Sequence, residues 1–406
     1  MKSNEFPLNF TPRKVGHTFP VKTDYNHFPL DFDPSSQLTV ETGYFVFTMM
    51  PSLRCSLNCP HCYLSLEQRR NSKIMTLEDL DLACRKVREY YDDKAIKQKV
   101  IIFYWYGGEP TDMGLPYMLE AFSRIDRIFP ESDGFHIRHD ILTSLLNIED
   151  EWFDVFRSWG RGHFQTSFDG LMRGKGYVKK WDKRVREAVS AGLRVSTISV
   201  VNNELFKDGP IEVLEYLSEL GVQEASFLPF MLNEQNKGDK YEKFAPPMSA
   251  YSDFMISLSE KWYSMKKDGL FVPQIGQMNY ISSRTNLPEI SNIAAQTLFM
   301  MPDGDMVLPD YRNGYLEYMR SFGNILESSF SDILNSNERQ SYLRKQLIRN
   351  MNVECLSCDN KHNCIMEFWK TNRKEDDCFG AKKYVKWLEN KEMEEGILSD
   401  QTCVMF

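Results

Sequence analysis

Three cysteines fall within the stretch CSLNCPHC, at Cys55, Cys59 and Cys62, spaced C-x3-C-x2-C with no fourth nearby. A structural zinc site and a closed iron–sulfur cluster each want four protein ligands. Three thiolates can instead hold three corners of a [4Fe–4S] cube and leave the fourth iron open. That iron can bind a small molecule directly and the cluster can pass it an electron. Catalytic metal sites differ from structural ones by such an open position. A second group, Cys355-x2-Cys358-x5-Cys364-x13-Cys378, supplies four thiolates. Four can close the coordination of a [4Fe–4S] cluster or of a zinc ion, and taken alone the second group favours zinc.

The remaining two cysteines have plainer readings. Cys84 falls with Leu77, Leu80, Val87 and Tyr91 on one face of a helical repeat and is a packed residue. Cys403, in the terminal CVMF, superficially fits a prenylation box, but nothing upstream is polybasic.

The chain as a whole frames this chemistry. Its 406 residues can bury a large core, and its net charge of −8 comes with no dense Lys/Arg stripe. That argues against nucleic acid and against an anionic membrane surface as partners. No apolar segment reaches the ~18–20 residues of a membrane span, and the start MKSNEFPLNF has no signal-peptide run. A cytoplasmic location is expected, where clustered cysteines point to metal or redox chemistry rather than to disulfides.

Strand and helix patterns alternate from Tyr44 onward. Strands are predicted over 44–50, 99–106, 135–143, 163–168, 194–201 and 224–230, with helices between them, one of them N-capped by Thr76. Six such units argue for a parallel α/β sheet with right-handed crossovers, short of the eight that close a full barrel. The cysteine loop follows the first strand directly, at the end where α/β barrels place their chemistry. Beyond 235 the rhythm changes to a long helix, a hairpin with an Asp-Gly turn at 300–311, and the second cysteine group. The expected division is an irregular arm at 1–43, a partial (β/α)6 barrel at 44–235, a helical linker at 236–290, a smaller α+β module at 291–390 and a tail at 391–406.

C-x3-C-x2-C after a first strand resembles the signature of the radical S-adenosylmethionine (SAM) enzymes. YGGEPT at 106–111, after the second strand, resembles that family's GGEP motif, ILTSLLN at 141–147 its T-N-G-x-L segment, and TSFDG at 166–170 its S-x-D-G. The resemblance implies that Cys55, Cys59 and Cys62 hold a [4Fe–4S] cluster whose open iron chelates SAM. It implies SAM or substrate contacts at His61, Gly107, Gly108, Glu109, Thr143, Ser167 and Asp169, with the Glu109 carboxylate suited to the SAM ammonium. Two glycines would let the backbone approach the ligand. Leu146 departs from the small residues expected at the T-N-G turn.

The second cysteine group, PDGDMVLPD at 302–310 and FGNI at 322–325 resemble the family's C-terminal SPASM, or twitch-like, extension. In that company an auxiliary [4Fe–4S] cluster displaces zinc as the first expectation. Asp310 and Phe368 stand where ligands of a further auxiliary cluster would fall, and no cysteine lies between 84 and 355, so one auxiliary cluster is expected rather than two. SPASM-type enzymes mostly act on peptides or proteins. The leading expectation is maturation of a ribosomally made peptide by oxidation, crosslinking or epimerisation, with a flavodoxin or ferredoxin as reducing partner. Asp310 and Tyr311 are candidate bases. Sulfatase maturation ranks lower, because those relatives carry the full auxiliary ligand set. The alternative class is oxidation or epimerisation of a small metabolite such as an aminoglycoside or sugar.

Overall fold

The short apolar runs do become strands, and they meet edge to edge. The computed structural model describes residues 44–97, 99–278, 297–312, 315–347, 376–378 and 380–395. Six strands, β1 (Tyr44–Met49), β2 (Lys99–Trp105), β3 (Phe135–Thr143), β4 (His163–Ser167), β5 (Arg194–Val201) and β6 (Glu224–Pro229), pair in sequence order and in parallel. Between them run the helices Leu77–Asp93, Leu115–Ile128, Glu151–Ser158, Lys175–Ser190 and Pro210–Glu219. Thr76 caps the first of these as expected, its hydroxyl accepting from the Asp79 amide at 3.0 Å.

Side chains alternate across the strands with period two. One set, including Phe47, Phe103, Trp105, Phe135, Phe164 and Phe227, is buried in one continuous core with Phe122, Phe156 and Trp181 of the helices. The opposite set is polar towards β3–β6: Tyr104 donates to Gln165, Arg138 pairs with Asp140, and His163 lies 2.7 Å from Ser196, which donates to Glu224 at 3.3 Å. Cys84 is buried in the apolar core, as its spacing predicts.

The sheet does not stop at six strands. The predicted hairpin is there, as β9 (Thr297–Met300) and β10 (Asp305–Arg312), with Gly304 at φ +85° in its turn. β9 pairs in parallel with β1, so the C-terminal segment continues the barrel sheet. A further strand, β11 (Tyr315–Asn324), escaped the sequence reading because its alternation mixes aromatic and charged residues on both faces. Two short strands complete the set, β7 (Leu232–Asn233) beside β11 and β8 (Gln274–Ile275) beside β6.

The resulting order, β7-β11-β10-β9-β1-β2-β3-β4-β5-β6-β8, has a geometric consequence. β6 and β7 are nine strand spacings apart along the sheet, about 43 Å if it were flat. Only the steps from Pro229 to Leu232 separate them along the chain, at most about 11 Å. The sheet must therefore curl until its two sides nearly meet, with β7 bridging the gap. The six-strand barrel is thus open in its own strands and narrowed by the module that follows it.

Candidate functional site

Chain leaving β1 runs straight into the three cysteines, all partly buried. The loop is pinned at both ends. The Cys55 amide donates to the Arg69 carbonyl at 3.0 Å, and the Cys62 amide donates to the Cys59 carbonyl at 3.1 Å. Downstream, Ser65 and Gln68 form a capping box on the short helix Leu66–Arg70. The Arg69 side chain reaches back to donate to the Leu57 carbonyl at 2.6 Å and to Asn58 Oδ1 at 3.0 Å.

The thiols share one electrostatic environment. Burial pushes Cys55 up to about 12, with Glu109 and the other two thiols adding to the rise and a backbone hydrogen bond at Leu57 opposing it. Burial likewise pushes Cys59 up to about 11, against the pull of Arg173 and Arg69. Cys62 is raised by burial, against a backbone hydrogen bond at Leu64 and the same two guanidiniums. Thiols so placed stay protonated until a cation takes the proton's place, and metal binding drives that exchange. Among the described residues no three His, Cys, Asp or Glu side chains converge tightly enough to grip one metal ion. A [4Fe–4S] cube asks for something wider, since each thiolate binds a different iron. The donor set fits the cube better than a single ion.

The loop after β2 packs onto the cysteine loop. Gly108 and Glu109 donate backbone hydrogen bonds to the Ser52 and Arg54 carbonyls at 3.2 and 2.9 Å. A Cβ on Gly108 would collide with the Arg54 and Leu53 carbonyl oxygens, and one on Gly107, at φ +104°, would come within 2.5 Å of the Ser52 carbonyl. The close approach these glycines permit is therefore to the cysteine loop itself, a use that ligand-centred reasoning missed.

Glu109 is 4% exposed, and its carboxylate is crowded with donors. Oε1 accepts from Thr111 N at 3.3 Å, Thr111 Oγ at 2.7 Å and Thr143 Oγ at 2.8 Å, while among the described residues Oε2 accepts only from Ser144 N at 2.8 Å. No cation pairs with it among the described residues. A carboxylate offers about four acceptor sites, so Oε2 keeps one for a further donor. Thr143 is buried and spent, since its hydroxyl also accepts from Leu145 N at 3.1 Å. Leu145, not Leu146, takes the left-handed turn at φ +62°, a conformation a branched side chain rarely adopts.

The third wall comes from the end of β4. Asp169 is 1% exposed and fully engaged: Oδ1 accepts from Val200 N at 2.6 Å and Oδ2 from Arg173 Nε at 2.5 Å. Its backbone carbonyl accepts from Asn202 at 3.1 Å. It is a hub that orients its neighbours. His61 Nε2 lies 3.9 Å from Oδ2, and burial holds the imidazole down at about 4 despite that carboxylate, so it is neutral at physiological pH. His61 Nδ1 is buried without a hydrogen-bond partner among the described residues, and its carbonyl accepts from Asn233 on β7 at 3.0 Å. Arg173 also stacks over Tyr177, whose hydroxyl donates to the Ser167 carbonyl at 2.6 Å.

The structure thus brings His61, Gly107, Gly108, Glu109, Thr143 and Asp169 around the cysteine loop, with Ser167 at the neighbouring strand end. Arg69, Arg173, Ser144 and Asn233 were missed, each a residue type without a motif of its own. Asp310 and Tyr311 sit on β10 opposite Tyr318 and Leu316, with a register shift between them, and their side-chain surroundings lie outside the described residues. Cys355, Cys358 and Cys364 lie outside them as well, as do residues 1–43 and Cys403. Cys378 is described and partly buried. The segment carrying it is clasped to the helix Met248–Lys267: the Asp376 carboxylate accepts from the Met248 and Ser249 amides, both at 2.7 Å, and Asp377 accepts from Ser252 Oγ at 2.7 Å. Among the described residues no helix is long and apolar enough to cross a membrane.

Comparison with known proteins agrees with this geometry. Residues 49–241 match the model of the Radical SAM superfamily, and residues 292–359 match SPASM, an iron–sulfur cluster-binding domain. A serine-type anaerobic sulfatase-maturating enzyme of Klebsiella aerogenes is 24% identical over 324 residues, covering 76% of each chain. Among solved structures, anSMEcpe with bound AdoMet and the Cp18Cys peptide superposes with a TM-score of 0.65 at 16% identity, over 86% of this chain and 97% of that one. SuiB of Streptococcus suis bound to its precursor peptide SuiA superposes with a TM-score of 0.53 at 15% identity, over 79% and 70%.

Proposed function

The chain belongs to the radical SAM enzymes and carries a SPASM-like module behind its barrel, and from that premise we propose that it modifies a peptide by hydrogen abstraction. Bound at Cys55, Cys59 and Cys62, a [4Fe–4S] cluster with SAM on its open iron would supply a 5′-deoxyadenosyl radical. The single observation that carries the assignment of the SAM site is Glu109, a buried carboxylate beside the thiols with an acceptor site left on Oε2 and no cation paired among the described residues. An ammonium there completes its charge balance.

The other residues act around it. Thr143 and Ser144 hold the Glu109 carboxylate in place, Gly107 and Gly108 lock its loop onto the cysteine loop, and Asp169 orients His61 and Arg173. Neutral His61 presents an uncharged ring edge beside the third cysteine, suited to a nucleobase. Once a hydrogen atom has left the substrate, an oxidation still has to remove a proton and an electron. Asp310, with Tyr311 beside it, is proposed to take the proton. Cys355, Cys358, Cys364 and Cys378 are proposed to hold the one auxiliary [4Fe–4S] cluster that takes the electron, with zinc as the competing occupant. A flavodoxin or ferredoxin would supply the initial electron.

Maturation of a ribosomally made peptide is the first reading of the substrate, supported by a fold shared with SuiB. Oxidation of a residue within a protein, as in sulfatase maturation, is the second, favoured by the relative that aligns over three quarters of both chains. Small-metabolite oxidation is the third. Deuterium-labelled peptides decide between them. Transfer of deuterium into 5′-deoxyadenosine with loss of two hydrogens from the peptide supports side-chain oxidation, and transfer with no mass loss beyond exchange supports epimerisation. Deuterium transfer only from a free alcohol or sugar would contradict a peptide substrate.

A further inference from the structure

Arg69 is buried at 8% exposure, and every acceptor it has among the described residues is neutral. One terminal nitrogen donates to the Leu57 carbonyl and the other to Asn58, both within the x3 spacer between Cys55 and Cys59. Its Nε is buried with no partner among the described residues. No carboxylate lies within ion-pair distance of it among the described residues. A buried charge without a counter-charge is strongly unfavourable, so one must be supplied.

Two guanidiniums send their field to both Cys59 and Cys62, those of Arg69 and Arg173. They are not equivalent. Arg173 is neutralised by Asp169 at 2.5 Å. Lys240 also reaches Cys62 but is exposed, where water screens it. Arg69 alone among these is a desolvated positive charge left over.

We propose that Arg69 is a positioning residue whose missing counter-charge is the iron–sulfur cluster itself, and that it both shapes the cysteine loop and favours the cluster's reduced state. This rests on the reading that Cys55, Cys59 and Cys62 hold the cluster. A cube carried by three thiolates is net anionic, and becomes more so by one charge on reduction. A fixed cation in a low-dielectric setting stabilises the reduced form more than the oxidised one. The bracing has a second effect. The same side chain that supplies the charge fixes the Leu57–Asn58 segment, so the spacing of Cys55 and Cys59 is set before iron arrives.

The test uses the full chain, reconstituted anaerobically with iron and sulfide, and reads the cluster rather than turnover. Potentiometric titration followed by electron paramagnetic resonance is run on wild type, R69M and R69K, and the trace of C55A/C59A/C62A is subtracted from each. R69M should shift the reduced-to-oxidised ratio at a fixed potential at least tenfold toward oxidised, which is about 59 mV for a one-electron couple. R69K should recover most of that shift, since it restores the charge without the forked hydrogen bonds. If R69M instead holds no cluster while its circular dichroism matches wild type, rescue of iron binding by R69K supports the role of charge. Failure of both variants alike makes Arg69 a shape-only brace and overturns it. An R69M potential within twofold of wild type in that ratio overturns the proposal alone. A wild-type trace identical to C55A/C59A/C62A overturns the cluster reading, and this one with it.

Discussion

Thr143 Oγ lies 2.8 Å from Glu109 Oε1, a hydrogen bond that ties the end of β3 to the loop after β2. Through it, one buried carboxylate is shared between two strand ends, while the Glu109 amide ties the same residue to the cysteine loop. The arrangement makes Glu109 sensitive to charge and Thr143 sensitive only through Glu109. E109Q keeps the shape, loses the charge and should weaken SAM binding at least tenfold, about 1.4 kcal/mol. T143V removes one of four donors and should weaken it less. Calorimetric titration of SAM under anaerobic conditions, with melting temperature as the folding control, ranks the two. A larger loss in T143V than in E109Q would overturn the assignment.

Gly108 is held by sterics rather than by ligand contact. G108A drives a methyl group into the Arg54 and Leu53 carbonyls. It should cost about 1–3 kcal/mol and reduce the iron retained by the three cysteines. Gly176 has open space around its Cβ position inside the helix Lys175–Ser190, so G176A should be neutral or slightly stabilising. Thermal melts and iron content on the pair separate the two cases, and equal behaviour would count against the steric account.

The polar side of the sheet predicts a pH effect with a definite sign. Burial holds His163 at about 4, below its ordinary 6.5, with Asp140 opposing and Arg194 and Arg138 reinforcing the shift. Between pH 6.5 and 4 the unfolded chain therefore binds more protons at this site, and stability falls as pH falls through that window. Glu224, raised mainly by burial, works in the opposite direction and favours the folded state as it takes up a proton. H163Q should flatten the acid-side loss between pH 6.5 and 4, and E224Q should steepen it. Urea midpoints across that range measure both slopes.

Asp376 clasps the Cys378 segment to the long helix across more than a hundred residues of chain. Burial alone would raise its carboxyl, but the amides of Ser249, Met248 and Asp377 and the Ser249 hydroxyl together outweigh that and hold it below the usual range. Its contribution is therefore present at neutral pH and lost as the pH falls through the lowered value. D376N should cost about 0.5–2 kcal/mol, the worth of a helix N-cap, and should loosen the Cys378 segment to proteolysis. Unchanged melting and unchanged cleavage would contradict the clasp.

Much of this was legible in the residues. The six parallel strands and their order follow from apolar runs of the right length, because a buried parallel strand has few other sequences open to it. The cysteine loop and GGEP could be read because their chemistry demands particular residue types at fixed spacing. Arg69 and Arg173 could not, since an arginine becomes a site residue only through what it is buried against. β11 hid for a plainer reason: its sequence, YLEYMRSFGN, shows no clean apolar alternation to read. The joining of β9 to β1 was equally out of reach, because pairing across some 250 residues leaves no local trace.

The measurement that bears most directly on the central claim is the iron and sulfide content of the anaerobically purified chain, set beside that of C55A/C59A/C62A, with zinc measured in both. An open cluster on three cysteines and a closed one on four predicts about eight irons falling to about four, with no zinc. With the wild type, dithionite and SAM should then give 5′-deoxyadenosine, and with the variant they should give none. Iron unchanged by the triple substitution, or 5′-deoxyadenosine formed without those cysteines, would contradict the account.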